Sequence, residues 1–459
     1  MSDKKLEEIN SLERVDLDQF VEEEYKTYQI YTLNDRAIPY LIDGLKPAQR
    51  RILYILYKNA SKGLMKVSSA TGLVLHLHPH GPASVESSIV NMAQDYTFAN
   101  NYPLIDKKGY FGERMETAPA ASRYIECKIS EVAKKLLFDD LNQVEMIPSY
   151  DEKALEPKFL LPKLPLMLLN GAEGIGTGYS VIIPSYSHND IIKSMISVIK
   201  TGKASKMSPW VNNYKGKILF DKIKKSYMFE LTVEKIKDKY FITELPRHCD
   251  AKKIYRHLNN LIDKEVIKDY TDNTSKNEVM IELIFKRGSR VNLEKLKQEL
   301  ALTSTLSPQL TLIDEDGIRL FESPEEIIEV FTKQRLEVVK RRYELLVKDA
   351  EARIIKNNEI IRFIKQKHYA QAEKKKDRGE YIKYLKTKKF QYNEYLADMS
   401  IYRMTKDEVK KRELLVKDDK VQLAEYKKIL KSKKNIELKL IEELEEVKEF
   451  LTSSLRRKS

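Results

Sequence analysis

The sequence predicts an α+β multidomain chain that ends in a long antiparallel helical hairpin. Three observations predict it. Residues 36–94 carry two amphipathic helical stretches around turn residues, 215–246 and 277–288 alternate apolar and polar residues as strands do, and from Ser323 onward apolar pairs recur at helical spacing.

Taken in order, residues 1–30 read as an acidic amphipathic helical arm, with Leu17, Phe20, Val21 and Tyr25 near helical spacing. Residues 31–156 form the next domain. It has a turn at Asp43-Gly44, then a helix opening at Pro47 that carries Arg50 and Arg51, with Ile52, Leu53, Ile55 and Leu56 on its buried side. A second helix starts at Pro82 and buries Val85, Ile89 and Met92. Two short helices, a turn and a basic face suggest a helix-turn-helix module. Residues 157–322 are mixed: strand-like alternation through "KGKILFDKIKKSYMFELTVEKIKDKYFITELP", a helix over "AKKIYRHLNNLIDKEVI", then a strand in "NEVMIELIFKRG". Residues 323–459 start on a Ser-Pro helix signal, and about 40 residues of helix make a rod of about 60 Å. A second long helix over "VQLAEYKKILKSKKNIELKLIEELEEVKEFL" completes an antiparallel coiled coil.

Composition bounds the function. The 459 residues allow two to four domains. Lys and Arg number 82 against 69 Asp and Glu, a net charge of +13. That excess suits a polyanionic partner, although a lysine-rich genome-wide composition would also produce it. Two isolated cysteines, Cys127 and Cys249, argue against a disulfide framework. The N-terminal stretch lacks the apolar core of a signal peptide, and no run is long and apolar enough to cross a membrane, so a cytoplasmic location with no membrane partner is expected.

The stretch "LVLHLHPHGPASVESS" holds three of the seven histidines, His76, His78 and His80. On a strand, alternate rings share one face, which is a metal-site pattern. Pro79 and Gly81 break such a strand, and no CxxC or HxxxH spacing supplies further ligands, so no metal site is expected. A Pro-Gly corner presenting imidazoles to phosphate is the competing reading.

Four segments decide between them: "RAIPYLIDGLKPAQRRILY", "HLHPHGPASVESSIVNMAQ", "GYFGERMETAPAASRYIECKI" and "PLMLLNGAEGIGTGYSVIIPSYSHND". In this order and spacing they resemble the breakage-reunion subunit of type IIA DNA topoisomerases, the gyrase A subunit family. The resemblance runs on through "ELPRHCDAKKIYRHLNNLI" into "QRLEVVKRRYELL". In length, and in ending without a C-terminal β-domain, the chain looks most like the medium subunit of T-even-type phage enzymes. The resemblance implies a winged-helix DNA-gate domain, a tower domain with an intercalating β-wing, and a coiled coil with a helical exit gate where two copies meet.

It also implies roles. Tyr124 would attack the DNA backbone and hold a transient 5′-phosphotyrosine, with Arg123 and Arg36 as the catalytic cations. Lys46, Arg50, Arg51, His78 and His80 would bind DNA phosphates, and Ile175 at the wing tip would wedge between base pairs. A tyrosine hydroxyl has a pKa near 10, so ionising it at pH 7 costs about 4 kcal/mol and calls for nearby cations or a base. "NGAEGIGTG" fits neither the Walker A nor the GxGxxG pattern, no GxxxxGK[ST] loop is found, and no Glu joins a DxD as an acidic magnesium cluster, "DEDG" at 314–317 reading as a turn. ATP and Mg²⁺ are therefore expected on a separate partner subunit, docked by the N-terminal arm. In bacterial members of the family, quinolones are held through a hydroxyl residue and an acidic residue that correspond here to Ala83 and Ser87. The reading from another class is a non-catalytic, DNA-bending, coiled-coil dimer built from the same basic helix, wing and rod.

Overall fold

The computed structural model describes residues 16–275, 278–287 and 292–456. It separates into two compact units. The first contains the described residues up to 332 together with 445–456; the second is Lys333–Leu444.

The first unit begins with a helical run in which Leu17–Phe20 and Lys26–Thr32 are α and Val21–Tyr25 and Leu33–Ala37 are wider π turns. The predicted arm over 1–30 lies partly outside the described residues. In its described part, Leu17 and Tyr28 remain 71% and 58% exposed. Helices α1 (Pro47–Asn59), α2 (Val67–Val74) and α3 (Pro82–Ala93) follow. Pro47 and Pro82 open their helices because proline has the φ of a first turn and no amide to leave unpaired. Their apolar stripes, including Ile52, Leu53, Leu56, Val85 and Ile89, are fully buried. Behind them lies an antiparallel three-stranded sheet in the order β1 (Met65–Lys66), β3 (Glu126–Ile129), β2 (Ile105–Lys108). Strands β4 (Met146–Pro148) and β5 (Leu155–Pro157) pair as a small hairpin.

The histidine stretch is not a strand. Residues up to Val74 belong to α2, and His76 sits exposed in the turn that follows. Helix α2 went unpredicted because "VSSATGLV" offers small polar residues and a glycine where a helix signal needs an apolar stripe.

A glycine-rich hairpin, β6 (Ala172–Ile175) and β7 (Ser180–Ile183), is the predicted wing. A Cβ on Gly174 would meet the carbonyl oxygen of Ala37, and one on Gly176 would meet the Leu33 side chain. These glycines let the wing backbone lie directly on residues 33–37. Next come a sheet of β8 (Ile218–Asp221), β9 (Ser226–Glu230) and β14 (Thr303–Leu306), and a four-stranded sheet of β10 (Thr232–Ile236), β11 (Lys239–Glu244), β12 (Asp269–Asp272) and β13 (Ile281–Ile284). Helix α4 (Ala251–Asp263) covers the latter through Ile254, Leu258 and Leu261. Hairpin β15 (Leu310–Asp314) to β16 (Gly317–Phe321) turns at "DEDG", with Gly317 at φ +112.

Helix α5 (Pro324–Lys365) has 42 residues, about 63 Å of helix. Within the second unit its partners run backwards along the chain: Arg342 pairs with Glu443, Tyr343 lies against Tyr426, Arg353 pairs with Asp419, and Arg412 donates to Asn357. This is the predicted antiparallel pairing. The second rod is two helices rather than one, α7 (Lys406–Leu430) and α8 (Lys433–Arg456), because the break at Lys431-Ser432 is stabilised by Ser432, whose hydroxyl accepts from the Asn435 amide. At the loop end, α6 (Arg378–Thr387) and its neighbours enclose a separate core of Ile360, Phe363, Tyr381, Leu385 and Leu396. The segment expected over 323–459 is divided between the two units. Residues from 445 onward belong to the first unit, where Thr452 meets His188.

Candidate nucleic-acid cleavage site

Tyr124 sits on a turn immediately before β3, and that turn is tied to α2 on both sides. The Val67 amide donates to the Ile125 carbonyl (3.1 Å) and the Ser68 amide to the Ser122 carbonyl (3.3 Å). Tyr124's own amide donates to Ala121 (2.9 Å), so the backbone is fixed while the side chain is 66% exposed. Among the described residues its hydroxyl has no hydrogen-bond partner. The Arg123 guanidinium lies over its ring at 4.9 Å, and Lys66 reaches its carbonyl oxygen at 3.5 Å. Lys66 and Lys108 both pair with Glu126 two residues on, at 3.0 and 3.4 Å. Three cations thus surround the turn, of which the sequence pointed to Arg123 alone. Lys66 and Lys108 arrive from other strands of the sheet, and nothing in their local sequence marks them.

A second group forms around the HPHG corner. The Arg36 guanidinium covers His80, with Nε 3.2 Å from Nε2 and Nη2 2.8 Å from Nδ1. The Tyr31 hydroxyl is 3.2 Å from the same Nε2. The His78 and His80 rings meet edge to face at 4.8 Å. Arg51 stands 3.3 Å from His78 and is held by both oxygens of Glu156, at 2.5 and 2.9 Å. Burial and then the Arg51 charge push His78 down to about 4, and burial together with Arg36 also lowers His80. Both rings are therefore held neutral, first by burial and then by the neighbouring arginines. A cavity of about 880 Å³ opens between Arg36, His80, Ala83, Ser84 and the wing base at Gly171 and Ala172.

The other sequence candidates divide. Ile175 is 90% exposed at the wing tip, which excludes a core-anchoring role. Lys46 gives its ammonium to the Glu173 carbonyl (2.7 Å) and so ties α1 to the wing. Arg50 requires correction as a DNA-binding residue. It is 6% exposed, pairs with buried Asp43 through Nε (2.6 Å) and Nη2 (3.3 Å), and packs beside the adjoining rings of Tyr40 and Phe159, 5.1 and 5.2 Å from their centres. The predicted basic face of α1 is thus turned inward and paired. Among the described residues, no contact joins the Tyr124 turn to the HPHG corner, and no three His, Cys, Asp or Glu side chains group as a metal site. Nor is any helix among them long and apolar enough to cross a membrane.

Comparison with known proteins agrees with this geometry. The chain is 33% identical over 367 residues to the mitochondrial DNA topoisomerase 2 of Dictyostelium discoideum, covering 77% of this chain and 28% of that protein. It is 30% identical over 361 residues to the DNA gyrase A subunit of Kosmotoga olearia, covering 72% and 44%. The chain spans less than half the length of these relatives. The solved DNA-binding, cleavage and re-ligation domain of Plasmodium falciparum topoisomerase II superposes on 96% of the chain and 66% of that domain, with a TM-score of 0.83 and 28% identity. The family of the DNA gyrase/topoisomerase IV A subunits matches residues 36–445, and the chain belongs to that family.

Proposed function

We propose that this chain is the DNA cleavage-religation subunit of an ATP-dependent type II DNA topoisomerase. The observation that carries the proposal is Tyr124, an exposed side chain whose hydroxyl has no partner among the described residues, on a hydrogen-bonded turn under Arg123. In this reading the Tyr124 oxygen bonds to a backbone phosphorus, the bond from phosphorus to the 3′ oxygen breaks, and the tyrosine proton passes to the departing oxygen. A 5′-phosphotyrosine and a free 3′ hydroxyl result. Reversal reseals the strand without a nucleotide, because the phosphodiester energy is kept in the link. Arg123 and Arg36 stabilise charge on the phosphate. Arg51, His78 and His80 orient the backbone; Glu156 already pairs Arg51, so Arg36 is the cation at this corner whose charge a phosphate would meet. A second duplex passes through the break made by two copies.

ATP hydrolysis and the magnesium-holding carboxylates belong in this reading to a partner subunit, following the T-even-type phage organisation. The exposed apolar face of residues 17–31 offers a docking surface to such a partner, and Ile401 and Tyr402, 85% and 73% exposed in the second unit, suit the meeting of two copies. A cytoplasmic location follows from the same reading. The test mixes the chain with such a partner, plasmid and Mg²⁺ and stops the reaction with detergent. Protein covalently attached to DNA 5′ ends is expected; bent DNA with no covalent adduct would favour an architectural protein instead.

Two predictions belong here. Ile175→Ala should flatten the bend in a duplex labelled at both ends and cut cleavage about tenfold or more. Affinity should change less, since phosphate contacts dominate it. An unchanged energy-transfer distance would show that Ile175 is no wedge. The second concerns quinolones. Ala83 and Ser87 are both exposed and lie four residues apart on one face of α3, while Glu86 is half-buried. Neither offers an anionic anchor for drug-bound magnesium. The enzyme should be insensitive, and the Ala83→Ser, Ser87→Asp double variant should gain drug-stabilised cleavage. A wild type responding at concentrations that act on gyrase would contradict this.

A further inference from the structure

Residues 356–392 carry twelve Lys and Arg against four Asp and Glu, eight of the chain's net thirteen positive charges. The fold gathers them. Lys375 and Lys388 approach the same Tyr384 ring, at 5.4 and 5.9 Å from its centre. His368 bonds the Tyr384 hydroxyl at 2.8 Å, and Arg362 donates to the carbonyls of Lys388 and Lys389 at 3.2 and 3.3 Å. Three segments separated in sequence thus converge on Tyr384 at the loop end of the second unit. Lys365 and Arg378 have carboxylate partners, Glu413 and Asp398. Lys367, Lys374, Lys376, Lys383, Lys386 and Lys389 are exposed, and among the described residues none of them has one.

Like charges held within about one Debye length repel, and a fold that collects them with too few internal anions is relieved by an external polyanion. Duplex DNA presents about one negative charge per 1.7 Å of axis, and lysines act on it as mobile point charges that read no sequence. We propose that this lobe binds a duplex by its phosphates, as a holding site for DNA other than the segment at Tyr124. The inference extends the cleavage reading, yet lysine-borne binding needs neither Tyr124 nor Mg²⁺.

The test uses the full chain and a fluorescent 30-base-pair duplex, titrated at several salt concentrations, with lysine-acylation footprinting of the bound complex. Protection of Lys376, Lys386 and Lys389 is expected. In the titration a second, weaker binding phase beside that of the Tyr124 site is expected, and a Lys374→Gln, Lys375→Gln, Lys376→Gln variant should lose it, with a salt slope shallower by about 0.9 for each phosphate contact removed. The control is Lys406→Gln, Lys410→Gln, Lys411→Gln, which removes equal charge from exposed positions on α7. It should bind as wild type does. Equal losses in both variants, no protection of the lobe, or unchanged binding by the first variant would each overturn the proposal; the last would leave the lobe to an acidic protein partner. Failure of the cleavage reading registers separately, as absence of covalent adduct.

Discussion

Tyr124→Phe should form no covalent DNA adduct, while its affinity for duplex stays within about twofold of wild type. The hydroxyl is the only atom removed, and among the described residues nothing is bonded to it, so the turn has no reason to move. The backbone bonds at Val67, Ser68 and Tyr124 that hold the turn do not involve the side chain. Phosphate contacts from Arg36, Arg51 and the histidines would supply the affinity and persist. Cleavage should fall to background, a loss of at least about 10⁴-fold, because enzyme-scale acceleration disappears with its nucleophile. Arg123→Ala separates the roles: the nucleophile remains but its cation is gone, and a loss of about 10²- to 10³-fold is expected, the size seen when one charge-stabilising donor is removed. Detergent-trapped complexes on labelled DNA measure both. Adduct formation by Tyr124→Phe at the wild-type level would assign the nucleophile elsewhere among the 26 tyrosines.

The two variants also mark how far sequence alone could go. Helices α1 and α3 and the long α5 were legible because each writes its own signal, a proline start or a period of 3.6, within a few residues, whereas the wing was expected from family resemblance alone. Tyr124 carries no such signal, and only its surroundings in "APAASRYIE" set it apart through family resemblance. The cations around it were hidden for a different reason. Lys66 and Lys108 join Glu126 across a sheet whose register sequence does not reveal, and Glu156 reaches Arg51 over 105 positions. Arg50 and Arg51, adjacent and both basic, read as one solvent face. Their fates differ because a helix turns about 100° per residue, which aims Arg50 at Asp43 and Arg51 at the His78 corner.

That separation sets the largest expected effect on stability. Asp43 is fully buried and accepts from the Leu45 amide (3.0 Å), the Leu160 amide (3.1 Å) and two nitrogens of Arg50. Its carboxylate therefore joins the turn before α1, the chain at Leu160 and the helix itself. Asp43→Ala strands a buried guanidinium beside Tyr40 and Phe159 and orphans two amides. Removing one partner of a buried pair costs about 3–5 kcal/mol, a large share of the roughly 5–15 kcal/mol that holds a typical protein folded. Urea denaturation should show the midpoint falling steeply, and DNA binding should fall only as the folded fraction does. Arg50→Lys discriminates between the two readings of that residue. A phosphate contact tolerates lysine, whereas a fork bonded to both carboxylate oxygens and packed against an aromatic pair does not. Arg50→Lys should therefore destabilise the chain by about 1–3 kcal/mol while the remaining folded protein binds DNA normally. Unchanged stability with weakened DNA binding would return Arg50 to the DNA surface and remove Asp43 as the element that locks α1 in place.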